Sequence, residues 1–265
     1  MNSTLESATS RDGTWIAFER TGRGPAVILI GGAFNDRGTV GGLASALAPH
    51  AMAIAYDRRG RGQSAASTDY AIERELEDLA AVIEAIGEPA SVFGHSSGGV
   101  LALAAAAQRL PLRNLAVYEP TFVVDTSRPR PGRDLADRVQ ALVAEGKRDD
   151  AAALFLAEAV ALPPEMIHGM RTSGAWAYFS GLANSLPFDL AVCGSGMELP
   201  AQRLASISVP TLVLNGGNTA PWLAAASRAV AEVVPGAVHR VIEGQDHGVL
   251  QQPAALRDVL VEFFS

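Results

Sequence analysis

The sequence contains few of the residues on which several common classes of protein depend. It has one cysteine, Cys193, so no disulfide can form within the chain and the fold does not rely on an oxidising compartment. Its one lysine, Lys147, lies in Gly-Lys-Arg and not in the Gly-Lys-Ser/Thr of a phosphate-binding P-loop, which excludes that class of nucleotide enzyme. An enzyme that forms a Schiff base would have to use this lysine.

Excess positive charge and long hydrophobic segments are also missing. The net charge of −7 leaves no surplus of cations to neutralise phosphates, which argues against a nucleic-acid binder or a basic membrane anchor. The segment from Met1 to Ile30 matches neither a signal peptide nor a transmembrane helix, and the alanine-rich run Val100 to Ala107 is too short to span a bilayer. We therefore expect a cytoplasmic globular protein that contacts neither nucleic acid nor a membrane.

What the chain does contain is a regular alternation of two patterns. Hydrophobic residues make up 48% of it and charged residues 18%, which is enough apolar surface for a packed core. Short apolar runs predict strands at Ala26–Ile30, Ala51–Tyr56, Ala90–Phe93, Leu115–Tyr118, Thr211–Leu214 and Val238–Ile242. Apolar residues three and four apart predict helices at Leu43–Leu47, Ile72–Ile86, Val100–Leu110, Trp222–Val234 and Ala254–Phe264. After an N-terminal hairpin, this alternation predicts an α/β fold with a doubly wound, mostly parallel sheet.

The alternation stops once, between Thr121 and about Ile207, where only helical patterns occur. We interpret this stretch as an insertion into the fold. The chain is accordingly divided into a first part of the core at residues 1–121, a helical cap at residues 122–207 and a second part of the core at residues 208–265.

A chemical motif follows the predicted strand Ala90–Phe93. Gly94-His95-Ser96-Ser97-Gly98 is a Gly-x-Ser-x-Gly sequence between a strand and a helix, the context of a nucleophile elbow. The turn is so tight that side chains at the flanking glycines would collide with the strand and the helix. We predict that Ser96 is a nucleophile.

With four further segments, this motif makes the chain resemble the α/β-hydrolase superfamily. The segments are Ile28–Phe34, Tyr56–Ser64, Val209–Gly216 and Gly244–His247. The resemblance covers roughly Ala26–Glu119 and Ser208–Phe264, and it departs from the usual pattern at Gly31, where relatives have a histidine. It implies an α/β-hydrolase fold with an eight-stranded sheet, a helical cap, and a catalytic serine, acid and histidine in that chain order.

A serine hydroxyl attacks only when a base takes its proton. Among five histidines, His247 alone lies in a loop after the last predicted strand, where the fold carries its base. Two backbone N–H groups should stabilise the oxyanion that forms on the substrate. The resemblance assigns these donors to Ser97, directly after the nucleophile, and to Ala33, directly after two glycines.

The acid does not lie at its usual position, which Thr219 occupies in this chain. The usual position follows the predicted strand Thr211–Leu214. Some relatives, including haloalkane dehalogenases, carry the acid one strand earlier, and after the predicted strand Leu115–Tyr118 this sequence has Glu119. We therefore predict Glu119 as the acid, held in an extended conformation by Pro120. Asp125 and Asp246 are weaker alternatives.

Aromatic residues of the predicted cap either form its own core or line a substrate pocket. The residues predicted to line the pocket are Phe34, His95, Phe122, Trp176 and Phe179.

The sequence also contains a cluster of basic residues, Arg58, Arg59 and Arg61, of a kind that can bind an anion. Since acidic residues outnumber basic ones by 28 to 21, a structural turn held by ion pairs is the better interpretation.

These features predict a serine hydrolase that cleaves a carboxylic ester, thioester or lactone of a small apolar molecule through an acyl-enzyme. No metal or organic cofactor is implied, and we expect a monomer or a homodimer. Carbon–carbon bond hydrolysis, lyase and aminopeptidase chemistry use the same residues and remain open. A ligand-binding protein that turns over slowly or not at all also remains open, because Thr219 leaves the usual acid position empty.

Overall fold

The computed structural model describes residues 4–65 and 70–265 of the chain. One eight-stranded sheet has the strand order β1-β2-β4-β3-β5-β6-β7-β8. The strands are β1 Thr4–Thr9, β2 Trp15–Gly22, β3 Ala26–Ile30, β4 Met52–Tyr56, β5 Ala90–His95, β6 Leu112–Tyr118, β7 Thr211–Gly216 and β8 Val238–Ile242. Strand β2 runs antiparallel to both of its neighbours, and the pairs from β4 to β8 are parallel.

Helices cover both faces of the sheet. They are α1 Arg37–Leu47, α2 Ile72–Ile86, α3 Ser97–Ala107, α4 Leu135–Ala144, α5 Arg148–Glu158, α6 Pro164–Arg171, α7 Trp176–Gly181, α8 Leu186–Cys193, α9 Ala201–Leu204, α10 Pro221–Val233 and α11 Ala254–Phe264. Strand β3 shows why both faces are needed, because all five of its residues are buried. Ile28 packs with α2, α3 and α10 on one face, and Leu29 packs with α1 and α11 on the other.

The predicted doubly wound sheet is therefore confirmed, and the differences from prediction are local. Helix α3 begins at Ser97 and not at Val100, because the glycines of the elbow form its first turn. Strand β6 begins at Leu112, three residues before the predicted start at Leu115. Polar Arg113 and Asn114 interrupt the apolar run there, and the pairing of β5 with β6 changes register beside them.

The chain between β6 and β7 contains α4 to α9, and we call residues 122–207 the helical insertion. Its helices have an apolar cluster of their own, which includes Leu135, Val139, Phe155 and Leu186. Phe34, from the loop after β3, belongs to the same cluster. The insertion therefore packs onto the edge of the sheet at which the parallel strands end. None of the helices in the described ranges has the length and apolar character needed to span a membrane.

The arginine-rich turn after β4 is held by buried ion pairs, as predicted. Arg58 donates from two nitrogens to Glu75, each at 2.6 Å, and Arg59 donates to both carboxylate oxygens of Asp78. Arg61 donates to both carboxylate oxygens of Asp189, each at 2.7 Å. Since Asp189 lies on α8, this turn also connects the sheet to the helical insertion.

Candidate active site

Ser96 occupies the sharp turn between β5 and α3. Its φ of 57° and ψ of −127° lie in a region that residues other than glycine rarely adopt, at a cost of about 1–3 kcal/mol. The turn is compact because α3 begins directly against the end of β3, and a Cβ on Gly98 would lie 2.5 Å from the carbonyl oxygen of Ile30. The local geometry is that of the predicted elbow.

The side chains of the three predicted residues Ser96, His247 and Glu119 lie in one chain of hydrogen bonds. Ser96 Oγ is 3.2 Å from His247 Nε2, and His247 Nδ1 is 2.6 Å from Glu119 Oε2. Because a carboxylate can only accept, we assign the imidazole hydrogen to Nδ1, which leaves Nε2 free to accept from the serine hydroxyl. This arrangement can transfer a proton from Ser96 to the imidazole.

Backbone groups of the neighbouring strand β7 fix Glu119. Its N–H donates to the carbonyl of Leu214 at 2.9 Å, its Oε1 accepts from the N–H of Gly216 at 2.8 Å, and its side chain is fully buried. We expected Pro120 to hold this residue extended, and that is wrong: Glu119 has a φ of 49°. The left-handed turn lets the side chain fold back over the end of β7 toward the histidine.

The other acid candidates have different surroundings. Asp125 is exposed and accepts hydrogen bonds from Ser127, and Asp246 is exposed and accepts from the N–H of Gly248 at 2.8 Å. Thr219 lines the same cavity as Ser96, and among the described residues its buried hydroxyl has no hydrogen-bond partner. Of these carboxylates, the structure brings that of Glu119 to His247.

Two further residues hold the loop that carries His247. His95 Nε2 donates to the carbonyl of His247 at 2.9 Å, and the hydroxyl of Tyr118 donates to the carbonyl of Asp246 at 2.7 Å. Burial, and then the nearby His247, lower the pKa of His95 to about 3, so this imidazole stays neutral at ordinary pH. Sequence reasoning missed both roles, although each residue directly precedes a predicted catalytic residue on paired strands.

The loop after β3 runs closely past Ser96. A Cβ on Gly32 would lie only 2.6 Å from the Cβ of Ser96, so glycine permits this approach. The N–H of Ala33 has no acceptor among the residues that the structure describes, and that of Ser97 has none within α3, because it starts the helix. Both predicted oxyanion donors are thus next to Ser96. Phe34, which follows, also has a positive φ of 57°.

Asp189 contacts this site through Ser97, and the sequence analysis did not identify it. Its carboxylate is fully buried and accepts from Ser97 Oγ at 2.6 Å and from Arg58 at 2.8 Å, besides Arg61. Burial by itself raises the pKa of this carboxyl, but Arg61, Arg58 and Ser97 lower it below its ordinary value. The feature of the sequence that could have identified Asp189 is that it is the one carboxylate within the apolar segment Leu186–Cys193.

A cavity of about 1030 Å³ separates the sheet edge from the helical insertion. Ser96 and His247 face it, and of the predicted pocket residues Phe34, His95 and Phe179 line it. Phe122 and Trp176 do not, which corrects their prediction. Phe122 packs in the core between the sheet and its helices, and Trp176 lies behind Phe179 in the insertion's own cluster, where its indole donates to Asp149.

Within residues 4–65 and 70–265, no group of three or more His, Cys, Asp or Glu side chains is arranged to hold a metal ion.

Comparison with known proteins supports the same fold. The crystal structure of an alpha/beta hydrolase from Sphaerobacter thermophilus is 47% identical, with a TM-score of 0.92 over 98% of this chain and 100% of that one. A thermophilic esterase from Thermogutta terrifontis is 24% identical, with a TM-score of 0.73 over 98% of this chain and 97% of its own. The second likeness is informative about the fold alone.

Among curated proteins, the uncharacterized hydrolase YraK of Bacillus subtilis is 33% identical over 95 residues. That match spans about a third of either protein, namely 34% of this chain and 35% of the relative. A family model described as "Alpha/beta hydrolase family" matches residues 27–259, which include the strands from β3 to β8 and the helical insertion. The chain belongs to the alpha/beta hydrolase family.

Proposed function

We propose that this hydrolase is a serine esterase, which cleaves a carboxylic ester, thioester or lactone of a small, largely apolar molecule. The observation that carries the proposal is the chain of hydrogen bonds from Ser96 through His247 to Glu119, at 3.2 Å and 2.6 Å. It opens into a cavity large enough for a small ester, since ligand cavities commonly measure about 300–1,000 Å³.

In the first half of the reaction, Ser96 Oγ attacks the substrate carbonyl carbon while His247 Nε2 takes the hydroxyl proton. The fully buried Glu119 carboxylate stabilises the imidazolium that forms and keeps its orientation. His247 then gives the proton to the leaving oxygen or sulfur as the bond from that atom to the carbonyl carbon breaks, so that an alcohol or thiol departs or, in a lactone, the ring opens. The acyl group stays on Ser96.

In the second half, a water molecule gives a proton to His247 Nε2 and attacks the acyl carbon. Collapse of the tetrahedral intermediate breaks the bond to Ser96 Oγ, and the histidine returns the proton to the serine. In both halves the N–H groups of Ala33 and Ser97 stabilise the negative oxygen of the intermediate, which requires donors that are oriented before the reaction starts.

The helical insertion acts in this proposal as a cap that closes the cavity over Ser96. The rings of Phe34 and Phe179 make an edge-to-face contact at 5.1 Å, and Phe155 contacts Phe34 at 5.4 Å. All three side chains line the cavity. This aromatic wall favours an apolar group next to the scissile bond.

The test combines a fluorophosphonate probe with chromogenic esters of increasing acyl length. We expect rapid labelling of wild-type protein at Ser96, no labelling of Ser96→Ala, and many turnovers of at least one ester. A ligand-binding protein would give stable complexes without turnover. A carbon–carbon hydrolase, lyase or aminopeptidase would label but leave the ester panel intact. Either result would overturn the proposal.

A further inference from the structure

Arg128 lies where the chain enters the helical insertion, and it lines the same cavity as Ser96. The residue is only 7% exposed. A buried guanidinium keeps its charge, because arginine does not lose its proton in proteins. Such a charge is costly to remove from water unless a partner of opposite sign compensates for it.

The surroundings of this guanidinium hold it firmly. Its Nε donates to the carbonyl of Pro129 at 3.0 Å, its Nη1 to the carbonyl of Ala159 at 2.7 Å, and its Nη2 to the carbonyl of Glu158. The latter two carbonyls end α5, where the helix dipole is negative. The guanidinium also lies over the ring of Trp222, 4.7 Å from its centroid. Three of five N–H donors are thereby used, which leaves one on each terminal nitrogen.

Among the residues that the structure describes, Arg128 has no carboxylate within ion-pair distance. Burial lowers the pKa of Arg128, and no neighbouring charge opposes the effect. Arg58, which is also buried, shows the contrast: burial lowers its pKa too, but Glu75 and Asp189 raise that pKa well above the ordinary value. The carbonyls at the end of α5 supply only partial negative charge.

The other charged groups that line the cavity do not neutralise the positive charge of Arg128. The carboxylate of Asp189 is already paired with Arg58 and Arg61. The carboxylate of Asp246 is exposed and accepts from Gly248. The contacts of Arg128, at α5 and Trp222, are different from those of Ser96, at His247. The residues that line the cavity thus include both a reacting group, Ser96, and a fixed positive charge, Arg128.

We propose that Arg128 is the recognition site for a carboxylate of the substrate, so that the protein hydrolyses esters that carry a free carboxylate elsewhere in the molecule. This inference rests on the proposed esterase function and adds the substrate class to it. A carboxylate fits because it carries one negative charge and presents two oxygens to the two unused N–H groups. The aromatic wall receives the apolar part between the two ends.

The test compares two chromogenic esters of similar acyl length, mono-p-nitrophenyl glutarate and p-nitrophenyl hexanoate. We expect the wild-type protein to have the higher kcat/KM for the charged ester. Arg128→Met should lower that value about 10- to 100-fold, the usual size of a lost charged hydrogen bond, and change the value for hexanoate less than about threefold. Arg228→Met is the matched control, because it removes one exposed arginine outside the cavity lining.

A structural role for Arg128 predicts a different result, namely an equal loss for both esters together with a lower melting temperature. Should Arg128→Met fail to fold, Arg128→Lys keeps the charge and can still donate to the α5 carbonyls. That variant should retain a preference for the charged ester, though a weaker one. Equal kcat/KM values for the two esters in wild type would also refute the proposal.

A binding measurement separates this proposal from the esterase proposal. Glutarate should raise the melting temperature of wild-type protein and of Arg228→Met, and leave that of Arg128→Met or Arg128→Lys less changed. If none of the esters is hydrolysed but glutarate still stabilises the protein through Arg128, the carboxylate site is supported and the esterase proposal is wrong. If neutral esters are hydrolysed and glutarate has no effect, the reaction stands and the carboxylate site is wrong.

Discussion

The sheet edge and the helical insertion form opposite walls of one cavity, and they are built by different means. At the sheet edge, the backbone conformation determines the geometry, since Phe34, Ser96 and Glu119, which follow β3, β5 and β6, all have positive φ angles. On the insertion side, the packing of apolar side chains determines the geometry, and Asp189 is paired with Arg61 of the core. We therefore expect substitutions of the reacting groups at the sheet edge to alter the rate for every substrate, whereas substitutions of cavity residues in the insertion should alter the choice among substrates.

The strongest test of this division is Ser96→Ala. The substitution should lower ester hydrolysis by about 10⁴- to 10⁶-fold for all acyl lengths. The melting temperature should not fall, because alanine removes only a hydroxyl from a strained turn. Rates with purified protein and thermal unfolding curves check both expectations, and substantial activity in this variant would exclude Ser96 as the nucleophile.

Glu119→Gln is the next test at the sheet edge. It keeps the shape of the side chain but removes the charge that stabilises the imidazolium, so kcat should fall by about 10²- to 10⁴-fold for all esters. The measurement is kcat together with the melting temperature. A lower melting temperature with near-normal kcat would instead make Glu119 structural and return the acid to Asp125 or Asp246.

The matched variant for this test combines Glu119→Gln with Thr219→Asp. It places a carboxylate at the usual family position, on the loop that follows β7, and Thr219 lines the cavity with His247. Partial recovery of kcat would indicate that the charge near the histidine was the missing property. No recovery would indicate that only a carboxylate at position 119 can form the hydrogen bond to His247 Nδ1.

Asp189→Asn tests the connection between the two walls. Arg61 and Arg58 would lose their shared charge partner, and breaking a buried pair costs about 3–5 kcal/mol, so the melting temperature should fall. Arg61 also donates to the carbonyl of Gly32, beside the predicted oxyanion donor Ala33. We therefore expect kcat of the folded protein to fall about tenfold, with little change in KM.

Asp78→Asn is the control for that variant, because Asp78 is another buried carboxylate paired with an arginine, Arg59, and it does not line the cavity. It should lower the melting temperature but leave kcat of the folded protein unchanged. Equal kcat for both variants would mean that Asp189 stabilises the fold without positioning the loop.

The smallest effect is expected for Phe179→Ala in the helical insertion. Phe179 is half-buried and lines the cavity beside Phe34, so removal of its ring enlarges the cavity without changing the reacting groups. The ratio of kcat/KM for long to short acyl esters should rise severalfold, while labelling of Ser96 by the fluorophosphonate stays rapid. An equal loss of activity for all acyl lengths would contradict the division between the two walls.

Local patterns were sufficient to predict the sheet and the elements that end at the cavity. Helices α2 and α11 have the predicted bounds, because their apolar spacing reports a single buried face. Ser96, Glu119 and His247 could be proposed because the chain resembles the α/β-hydrolase superfamily, whose serine, acid and histidine follow strands that end at one edge of the sheet.

The helical insertion could not be predicted to the same depth. The partners of Asp189 lie 131 and 128 residues away at Arg58 and Arg61, and no periodicity encodes such a contact. Phe122 and Trp176 were assigned to the pocket as aromatics near the site, but the direction of an aromatic side chain depends on how the helices pack. The sequence around Arg128 does not indicate that this side chain is buried, because its burial depends on the end of α5 and on Trp222.

The positive φ angles at Phe34, Ser96 and Glu119 have a consequence for how this sequence can change over time. The backbone at each of these positions favours glycine, but Phe34 also packs in the apolar cluster of the insertion, so drift toward stability alone would remove Ser96 and Glu119 and keep Phe34. Only purifying selection on activity opposes that drift. A lineage that no longer needed the reaction should therefore lose Ser96 and Glu119 early, while Phe34 and the buried arginine turn, which stabilise the fold, would persist.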